Sequence, residues 1–459
     1  MKKAQITAAV IAAALCVTGL TGCGEDKTTE KSDVKTITMW SSNSHSKTVM
    51  GRLVDGFNNG EGKKLGIKFE YVVKEGSSLT NSIEVALQTG QAPDILAGAG
   101  GLKGLLEKGY VTALSDLPGS DDFLKKYEGK LTEGTNIIDG KVYSVPTYIT
   151  TIGLIYNKDM FREAGIVDKN GEPTPPETFE EMREYAKRLT NKSKNKFGVI
   201  FPARWSGWVG HDIQPALQGS FGHFGFNPVT GEYDYSGLAP IINAYMGMID
   251  DGSVFPGMEG MDNDPARAYF AQGMVGMKIG MSFDAGVLNE QFPAVCDWGV
   301  APLPVVDKNN KYLQYCKYAG TPPVNSKSAA EKGEACLKFI EWFVSDEVFR
   351  ELYANGMEMP VDWDIVKDVE MKKNIKGWSE FAELAKISAE RNRTPSNDMS
   401  GMLSLSERVM NDVLSGKVSA EEMLKQYNRD ITAATKKYYD MHPNESIEEY
   451  MNKDWNIKR

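Results

Sequence analysis

The segment 139–165 constrains the fold more than any other part of the chain. It opens with a turn at Asp139-Gly140 and continues as an extended run rich in β-branched and aromatic residues, from Lys141 to Tyr156. Because Pro146 cannot donate a ladder hydrogen bond, we expect two strands joined by a short extended crossing at 146–151 rather than one central strand. A strand that leaves one sheet and enters another predicts a hinge between two lobes.

The amino terminus has the pattern of a secretory signal. Two lysines precede a short apolar run from Ile6 to Leu20, which ends in Leu20-Thr21-Gly22-Cys23. The run is too short for a membrane span of ~20 residues. The ending resembles the bacterial lipobox, which implies a lipoprotein signal peptide at 1–22 and a diacylated Cys23. An ordinary signal peptide with an incidental cysteine is the alternative. The polar segment 23–33 predicts a flexible tether.

The length and the net charge of the chain limit the classes of protein to which it can belong. The chain has 459 residues, enough for two or three domains, and its net charge of −10 argues against a nucleic-acid or anionic-lipid surface. Three cysteines follow the lipobox, Cys296, Cys316 and Cys336, and no CxxC spacing indicates a metal or redox site. We therefore predict inert buried thiols, no metal and no cofactor.

The first strand–helix–strand unit predicts a parallel α/β sheet. Val34 to Trp40 is the first strand, a helix follows over 47–58, and 66–73 is the second strand. Ligands of such sheets gather at the carboxyl ends of strands. Trp40 lies at such an end, where core packing is an equal alternative. The polar loop after it supplies the stronger candidates, Ser41, Asn43, Ser44 and His45.

The segment 139–165 also carries a recognisable pattern. Its Asp-Gly-Lys, Tyr143, Pro146 and Tyr-Asn-Lys-Asp residues resemble the crossover signature of extracellular solute-binding proteins of the maltose-binding type, which serve ABC importers. Further similar segments follow in the family's order over nearly the whole mature chain. The resemblance implies a two-lobed α/β fold of the periplasmic-binding-protein type II. Each lobe would be a mostly parallel sheet flanked by helices, with about three hinge crossings.

The same resemblance places the lobe boundaries. The N-lobe is predicted at 34–147 plus 303–356, and the C-lobe at 148–302 plus 357–459. The return strand would start near Trp298, and the third crossing would lie at 357–363.

The resemblance also implies most site residues. The loop after the strand 197–201 brings aromatics into the family's cleft, and the segment 266–286 presents an aromatic platform. Core packing is the alternative for the tryptophans and the phenylalanine, and Arg204 could instead pair with a surface acid. The predicted ligand-binding residues beyond the first loop are Asp94, Tyr148, Thr150, Arg204, Trp205, Trp208, Phe283, Asp284 and Tyr318, with Tyr315 as an equal alternative to Tyr318.

Two departures argue against maltodextrin as the ligand. Maltodextrin-binding members place an aromatic and a carboxylate just past the strand that ends in Pro93-Asp94-Ile95. This chain has only small residues there, at 97–101. Leu403 stands where those members carry another aromatic. A mono- or oligosaccharide remains the leading ligand, because aromatic rings cover the C–H face of a pyranose while acids and amides take its hydroxyls.

Enzymatic motifs are missing from the sequence. It contains no GxSxG, HExxH or GxxxxGK[ST], and its four histidines are scattered. Carboxylates such as Asp94, Asp212 and Asp284 could form a glycosidase pair, but spacing alone cannot show one. We predict no catalytic residue and a binding protein. The alternatives are a polyol-phosphate or peptide binder, a surface carbohydrate-active enzyme, or an adhesin.

The predicted partners are a carbohydrate, ABC permease subunits with a cytoplasmic ATPase, and the membrane through the N-terminal lipid. No nucleic acid is expected, and the protein is predicted to be a monomer. Its predicted place is the extracellular face of the bacterial cytoplasmic membrane, or the periplasm if an outer membrane is present.

Overall fold

The computed structural model describes residues 34–459 except 75, 100, 206 and 373. The predicted signal peptide at 1–22 and the predicted lipidated Cys23 with its tether lie outside the described residues. Across the described part of the chain, no helix combines the length and the apolar character that crossing a membrane requires.

The strands and helices alternate along most of the chain. The strands are β1 (Lys35–Ser41), β2 (Ile67–Val73), β3 (Val111–Thr112), β4 (Ile137–Ile138), β5 (Lys141–Val142), β6 (Pro146–Asn157), β7 (Phe197–Val199), β8 (Phe226–Asn227), β9 (Glu232–Tyr233), β10 (Val275–Met281), β11 (Trp298–Ala301), β12 (Gln314–Gly320), β13 (Val324–Asn325), β14 (Met359–Pro360) and β15 (Ser388–Ala389). The α-helices are α1 (Lys47–Asn59), α2 (Glu61–Leu65), α3 (Gly76–Thr89), α4 (Leu102–Glu107), α5 (Ser120–Leu124), α6 (Lys158–Glu163), α7 (Phe179–Leu189), α8 (Pro215–Phe221), α9 (Leu238–Asp250), α10 (Asn263–Ala271), α11 (Asp284–Gly286), α12 (Ser326–Phe343), α13 (Asp346–Ala354), α14 (Trp378–Ala385), α15 (Leu405–Arg408) and α16 (Ala420–Met441).

The first lobe is built on a mixed sheet. β1 and β2 pair in parallel over their whole length, and alternate residues of β1 are buried, as expected for a strand with one face on the core. Ile95 extends the sheet by a parallel bridge to Met39 and an antiparallel bridge to Val324. β13 then pairs antiparallel with β3. The core beneath includes Phe69, whose ring stacks on Phe57 at 3.8 Å between centroids.

The second lobe has β6 at its centre. β6 is antiparallel to β10 on one side and to β11 on the other, and β10 is parallel to β7. The prediction of mostly parallel sheets is therefore wrong for this lobe, because its central strand β6 runs antiparallel to both of its neighbours, β10 and β11. The predicted two-lobed α/β architecture is confirmed, with separate apolar cores around Phe69 and around Leu154.

The hinge is the amino-terminal half of β6. β6 is one strand of 12 residues, so the predicted break into two strands is wrong. Pro146 is its first residue, a position where a missing N–H is tolerated. The half that begins there pairs with β12 on one side and with β14 on the other. The other half pairs with β10 and β11 in the second lobe, so a single strand belongs to two sheets.

The chain returns to the first lobe later than predicted. The Val305 N–H donates to the Glu177 carbonyl at 3.0 Å, and the Leu313 N–H donates to the Ile457 carbonyl at 2.8 Å. Both contacts lie within the second lobe, whereas a boundary at 302/303 would assign these residues to the first. The return passage therefore runs along β12.

The third passage also differs from the predicted boundary at 356/357. Beyond β14, Asp362 pairs with Lys130 at 3.0 Å and Asp368 pairs with Arg350 at 2.8 Å, which holds this stretch on the first lobe. Lys376 then pairs with Asp297 of the second lobe at 2.5 Å. The contacts place the third passage between residues 368 and 376.

The three predicted free thiols are unpaired, although only two are fully buried. Cys316 and Cys336 are buried and Cys296 is half-buried. Burial raises the pKa of Cys296 to about 11 and the pKa values of Cys316 and Cys336 to about 12. All three are therefore protonated, weak nucleophiles at neutral pH.

Asp94 ties three parts of the first lobe together. Its carboxylate accepts hydrogen bonds from the Thr38 N–H at 2.7 Å and from the Ser328 hydroxyl at 2.5 Å, and it pairs with Lys332 at 2.9 Å. The residue is only 7% exposed. Asp94 was predicted as a ligand contact, but its oxygens are occupied by donors inside the lobe.

Replacing Asp94 should therefore affect stability rather than binding. We expect Asp94→Ala to lower the free energy of unfolding by about 3 kcal/mol, because it leaves the partly buried Lys332 ammonium uncompensated. Urea denaturation measures the change, and Asp55→Ala on the exposed face of α1 is the control, with an expected change within about 0.5 kcal/mol. Normal stability in Asp94→Ala would contradict the structural role.

Candidate functional site

The polar loop after β1 lies at the carboxyl end of the first-lobe sheet. Ser41 is buried, and its hydroxyl accepts a hydrogen bond from the Asn43 N–H at 3.1 Å. Asn43 is exposed, and the side chain of Ser44 lies outside the described residues. Trp40 is half-buried with the Lys74 ammonium 3.9 Å from its ring centroid. The loop is therefore polar and accessible to solvent, and the side-chain amide of Asn43 is exposed in it.

His45 brings the two lobes into contact. Its ring stacks on Phe283 of the second lobe, with 5.0 Å between centroids and an interplanar angle of 16°. Its Nε2 lies 2.9 Å from the Glu358 carboxylate beside β14. The structure therefore brings together two predicted site residues. Glu358 was missed, because it lies 313 residues from His45 in a stretch without a motif.

The register of the hinge strands decides which side chains face this contact. Thr150 lies opposite Lys317, whereas Tyr318 lies opposite Ile149. Directly opposite residues share a face and successive residues alternate, so Thr150 and Tyr318 point to opposite faces. Glu358 precedes Met359, which pairs with Ile149, and therefore lies on the Thr150 face. Tyr318, predicted as a ligand contact, is 39% exposed and lies on the face opposite to Thr150 and Glu358.

Tyr148 belongs to the first-lobe core. Its ring packs edge-on against Phe343 at 6.2 Å and Phe349 at 5.2 Å, and the residue is 7% exposed. Burial raises the pKa of its phenol well above the usual value. Tyr148 was predicted as a ligand contact, but its ring is packed into the first-lobe core.

The second-lobe loop separates its two tryptophans. Trp208, predicted as a ligand contact, is 1% exposed, stacked on Phe201 at 5.0 Å and edge-on to Tyr245 at 5.9 Å, which is the core packing given as its alternative. The helical conformation starts at Trp208, which turns its ring into the core. Trp205 remains half-buried, edge-on to His211 at 5.0 Å. Trp205 is therefore the tryptophan that is left accessible.

Arg204 is an exposed residue at the same loop. Its side chain is 68% exposed, and its Nε lies 3.9 Å from the Asp262 carboxylate. Solvent screens an ion pair of this length, so its contribution to stability is small. This geometry fits the alternative in which Arg204 pairs with a surface acid better than the one in which it binds a charged ligand.

A buried ionic cluster lies directly behind Phe283. Asp284 is 1% exposed, accepts a hydrogen bond from the Met281 N–H at 3.1 Å, and pairs with Arg267 at 2.5 Å. Burial opposes its charge, but Arg267, Lys278 and His211 outweigh burial and hold the pKa of the carboxyl below its usual value. Asp284 was predicted as a ligand contact, but its carboxylate is buried against Arg267 and the Met281 N–H.

The cluster includes residues that the sequence did not single out. Lys278 is buried, and its ammonium donates to the Ile279 carbonyl at 2.8 Å. Burial lowers its pKa, while Asp284 and Asp212 act in the opposite direction. His211 Nδ1 contacts Asp212, which is 1% exposed. The three carboxylates considered for a glycosidase pair, Asp94, Asp212 and Asp284, are therefore all buried.

The Asp284 ion pair should make stability depend on acid pH. A carboxyl whose folded pKa lies below its unfolded value of about 4 stabilises the fold above pH ~4 and loses that contribution as pH falls. We expect Asp284→Asn to cost about 3 kcal/mol at pH 7 and to flatten the loss of stability between pH 4 and 2. Urea denaturation across this range measures both effects.

Asp264 is the matched control, because it pairs with the same Arg267 at 2.7 Å but is 66% exposed. Asp264→Asn should change the free energy of unfolding by under about 1 kcal/mol at either pH. Equal effects of the two substitutions would contradict the role assigned to the buried pair.

Comparison with known proteins adds independent observations. The sequence profile described as "Bacterial extracellular solute-binding protein" matches residues 46–348. A maltotriose-binding protein from Pyrococcus abyssi is 24% identical over 309 residues, which is 66% of this chain and 62% of that protein. A maltooligosaccharide ABC transporter solute-binding lipoprotein from Streptococcus pneumoniae is 23% identical over 92% of this chain and 94% of its own length.

Solved structures agree on the fold. The GacH receptor of Streptomyces glaucescens, described unliganded and with acarbose, superposes with a TM-score of 0.67 at 18% identity, covering 88% of this chain and 98% of that one. The profile match extends over more than half of the sequence, from the loop after β1 to α13. The chain belongs to the bacterial extracellular solute-binding protein family.

Proposed function

We propose that this protein captures a neutral saccharide between its lobes and delivers it to an ABC importer. The contact between His45 and Phe283 carries the proposal, because it joins the strand-end loops of the two lobes. Trp205 offers a half-buried aromatic surface in the loop after β7, and the Thr150 face of the hinge offers polar groups. An aromatic surface with a few polar groups suits a sugar ring and its hydroxyls.

Neither Arg204 nor Arg267 forms a preformed clamp for a charged ligand. A polyol phosphate or the carboxylate of a peptide would need a cation left free for it. Arg204 is largely in solvent, and Arg267 already pairs with Asp264 and Asp284. The names of the relatives, which include maltotriose- and maltooligosaccharide-binding proteins, point in the same direction.

Closure of the two lobes around the ligand would link binding to transport. β6, β12 and the passage at 368–376 connect the lobes, so rotation about them opens or closes the site. A ligand that touches both lobes stabilises the closed population, which a membrane permease and its ATPase would recognise. We propose a monomer held at the extracellular membrane face by a lipid on Cys23. Binding without turnover is the expected behaviour, because Asp94, Asp212 and Asp284 are buried.

The two tryptophans provide a direct test of the site. A thermal-shift screen over mono- and oligosaccharides first identifies a ligand, which at a hundred times its Kd should stabilise the fold by ~2.7 kcal/mol. Trp205→Ala should then weaken binding by roughly thirtyfold, the usual loss at a hot spot. Trp208→Ala should instead lower the free energy of unfolding by about 3–5 kcal/mol. Calorimetry and a melting curve of the ligand-free protein measure both.

The reverse pattern, with Trp208 controlling affinity and Trp205 controlling stability, would refute the assignment of the site. A product altered chemically in proportion to protein and time would refute the binding function itself.

The anchor has its own test. If Cys23 is acylated, Cys23→Ser should leave the precursor uncleaved or release the protein from membranes, because the lipid is what retains it. Fractionation followed by mass spectrometry of the amino terminus measures this. Membrane retention of correctly cleaved Cys23→Ser would contradict the proposed anchor.

A further inference from the structure

We propose that Gly207 and His211 are positioning residues that hold the ring of Trp205 where a saccharide can stack on it. The inference rests on the proposed function and names residues that would set its affinity without touching the ligand. It starts from Trp205, the half-buried tryptophan of the loop after β7.

The first observation is the close approach between the Trp205 ring and the backbone of Gly207. A Cβ atom added to Gly207 would lie 2.6 Å from Cζ2 of the indole and 2.7 Å from its Cε2. Non-bonded carbon atoms pack best at about 3.5–4.0 Å. The φ angle of Gly207 is not positive, so alanine would meet no left-handed backbone strain there. The indole therefore rests on Gly207, and a side chain at this position would push it away.

The second observation is that His211 borders the same ring. The two ring centroids are 5.0 Å apart, and the ring planes meet at 67°. Aromatic pairs favour such an edge-on geometry. Because His211 is only 4% exposed, its ring is held by the packed interior around it. Gly207 and His211 therefore limit the position of the Trp205 ring at two places.

His211 is in turn fixed by the interior of the second lobe. Its Nδ1 contacts the carboxylate of Asp212, which is 1% exposed. The Asp212 carbonyl accepts a hydrogen bond from the Tyr245 hydroxyl at 3.3 Å, and Tyr245 packs edge-on against Trp208 at 5.9 Å. A chain of buried contacts thus runs from the core of the lobe to the accessible ring.

The same support reaches Phe283. Burial opposes the charge of Asp284, but its neighbours, among them Arg267 and His211, hold the pKa of the carboxyl below its usual value. Arg267 pairs with this carboxylate at 2.5 Å, and its guanidinium lies 5.7 Å from the Phe283 ring centroid. One buried ionic cluster therefore supports both rings, Trp205 through His211 and Phe283 through Arg267. Side chains that are already held in place lose little freedom on binding, which favours affinity.

Gly207→Ala tests the first contact. It should weaken saccharide binding by roughly tenfold, because the displaced ring must be ordered again by the ligand. Gly210→Ala is the matched control, since Gly210 is exposed three residues further along and a Cβ added there meets no atom within 4 Å. Its affinity should stay within about twofold of the wild type. Calorimetry with the saccharide found by the thermal-shift screen measures both.

His211→Asn tests the second contact. The asparagine amide can still donate a hydrogen bond to Asp212, but it has no ring to border Trp205. We therefore expect a loss of affinity similar to that of Gly207→Ala, with a melting temperature close to that of the wild type. If this variant does not fold, Gly207→Ala decides alone.

A double-mutant cycle shows whether these effects pass through Trp205. In a Trp205→Ala background, Gly207→Ala should cause no further loss of affinity, since the ring that it displaces is gone. Acrylamide quenching of the ligand-free protein gives a second measurement. The Trp205 fluorescence, taken as the difference between each protein and its Trp205→Phe counterpart, should be quenched more strongly in Gly207→Ala than in the wild type.

Wild-type affinity and wild-type quenching in folded Gly207→Ala would overturn the inference and leave the proposed function standing. Additive losses in the cycle would overturn it as well, because the effect would then bypass Trp205. A wild type that binds no saccharide would reject the proposed function and the inference with it, and the wild-type measurement alone identifies that outcome.

Discussion

The structure depends on the backbone hydrogen bonds of one strand that belongs to two sheets. The first half of β6 pairs with β12 and β14, and the second half pairs with β10 and β11. Because these ladders fix both ends of the strand, the lobes keep a defined relation while the middle residues remain the place where they bend. The strand-end loops of both lobes, including His45 and Phe283, are positioned relative to this one element.

Much of this arrangement could be predicted from the sequence. The turn at Asp139-Gly140, the β-branched run after it and the helix beyond identified the hinge, because each is a local pattern. The break at Pro146 was wrongly predicted, because a proline as the first residue of a strand removes no needed donor. The lobe boundaries were placed too early, because the contacts of 303–313 and 361–368 join segments far apart in sequence.

The site was predicted less completely, for a physical reason. Trp205 and Trp208 are three residues apart and chemically identical, yet one is accessible and the other is core. Asp94 and Asp284 stand next to loops that were predicted to face the ligand, but they serve the interior, where each holds a cation. Spacing reveals which residues are near a cleft, but burial depends on contacts from other elements. Glu358 illustrates the same limit, since no local signal connects it to His45.

The state of the thiols has a consequence for how the folded protein withstands oxidation. Cys296, Cys316 and Cys336 are unpaired, and burial keeps them protonated at neutral pH. A thiol in that form reacts slowly with oxidants and with other cysteines. Once folded, the described part of the chain can therefore keep these thiols reduced in an oxidising compartment.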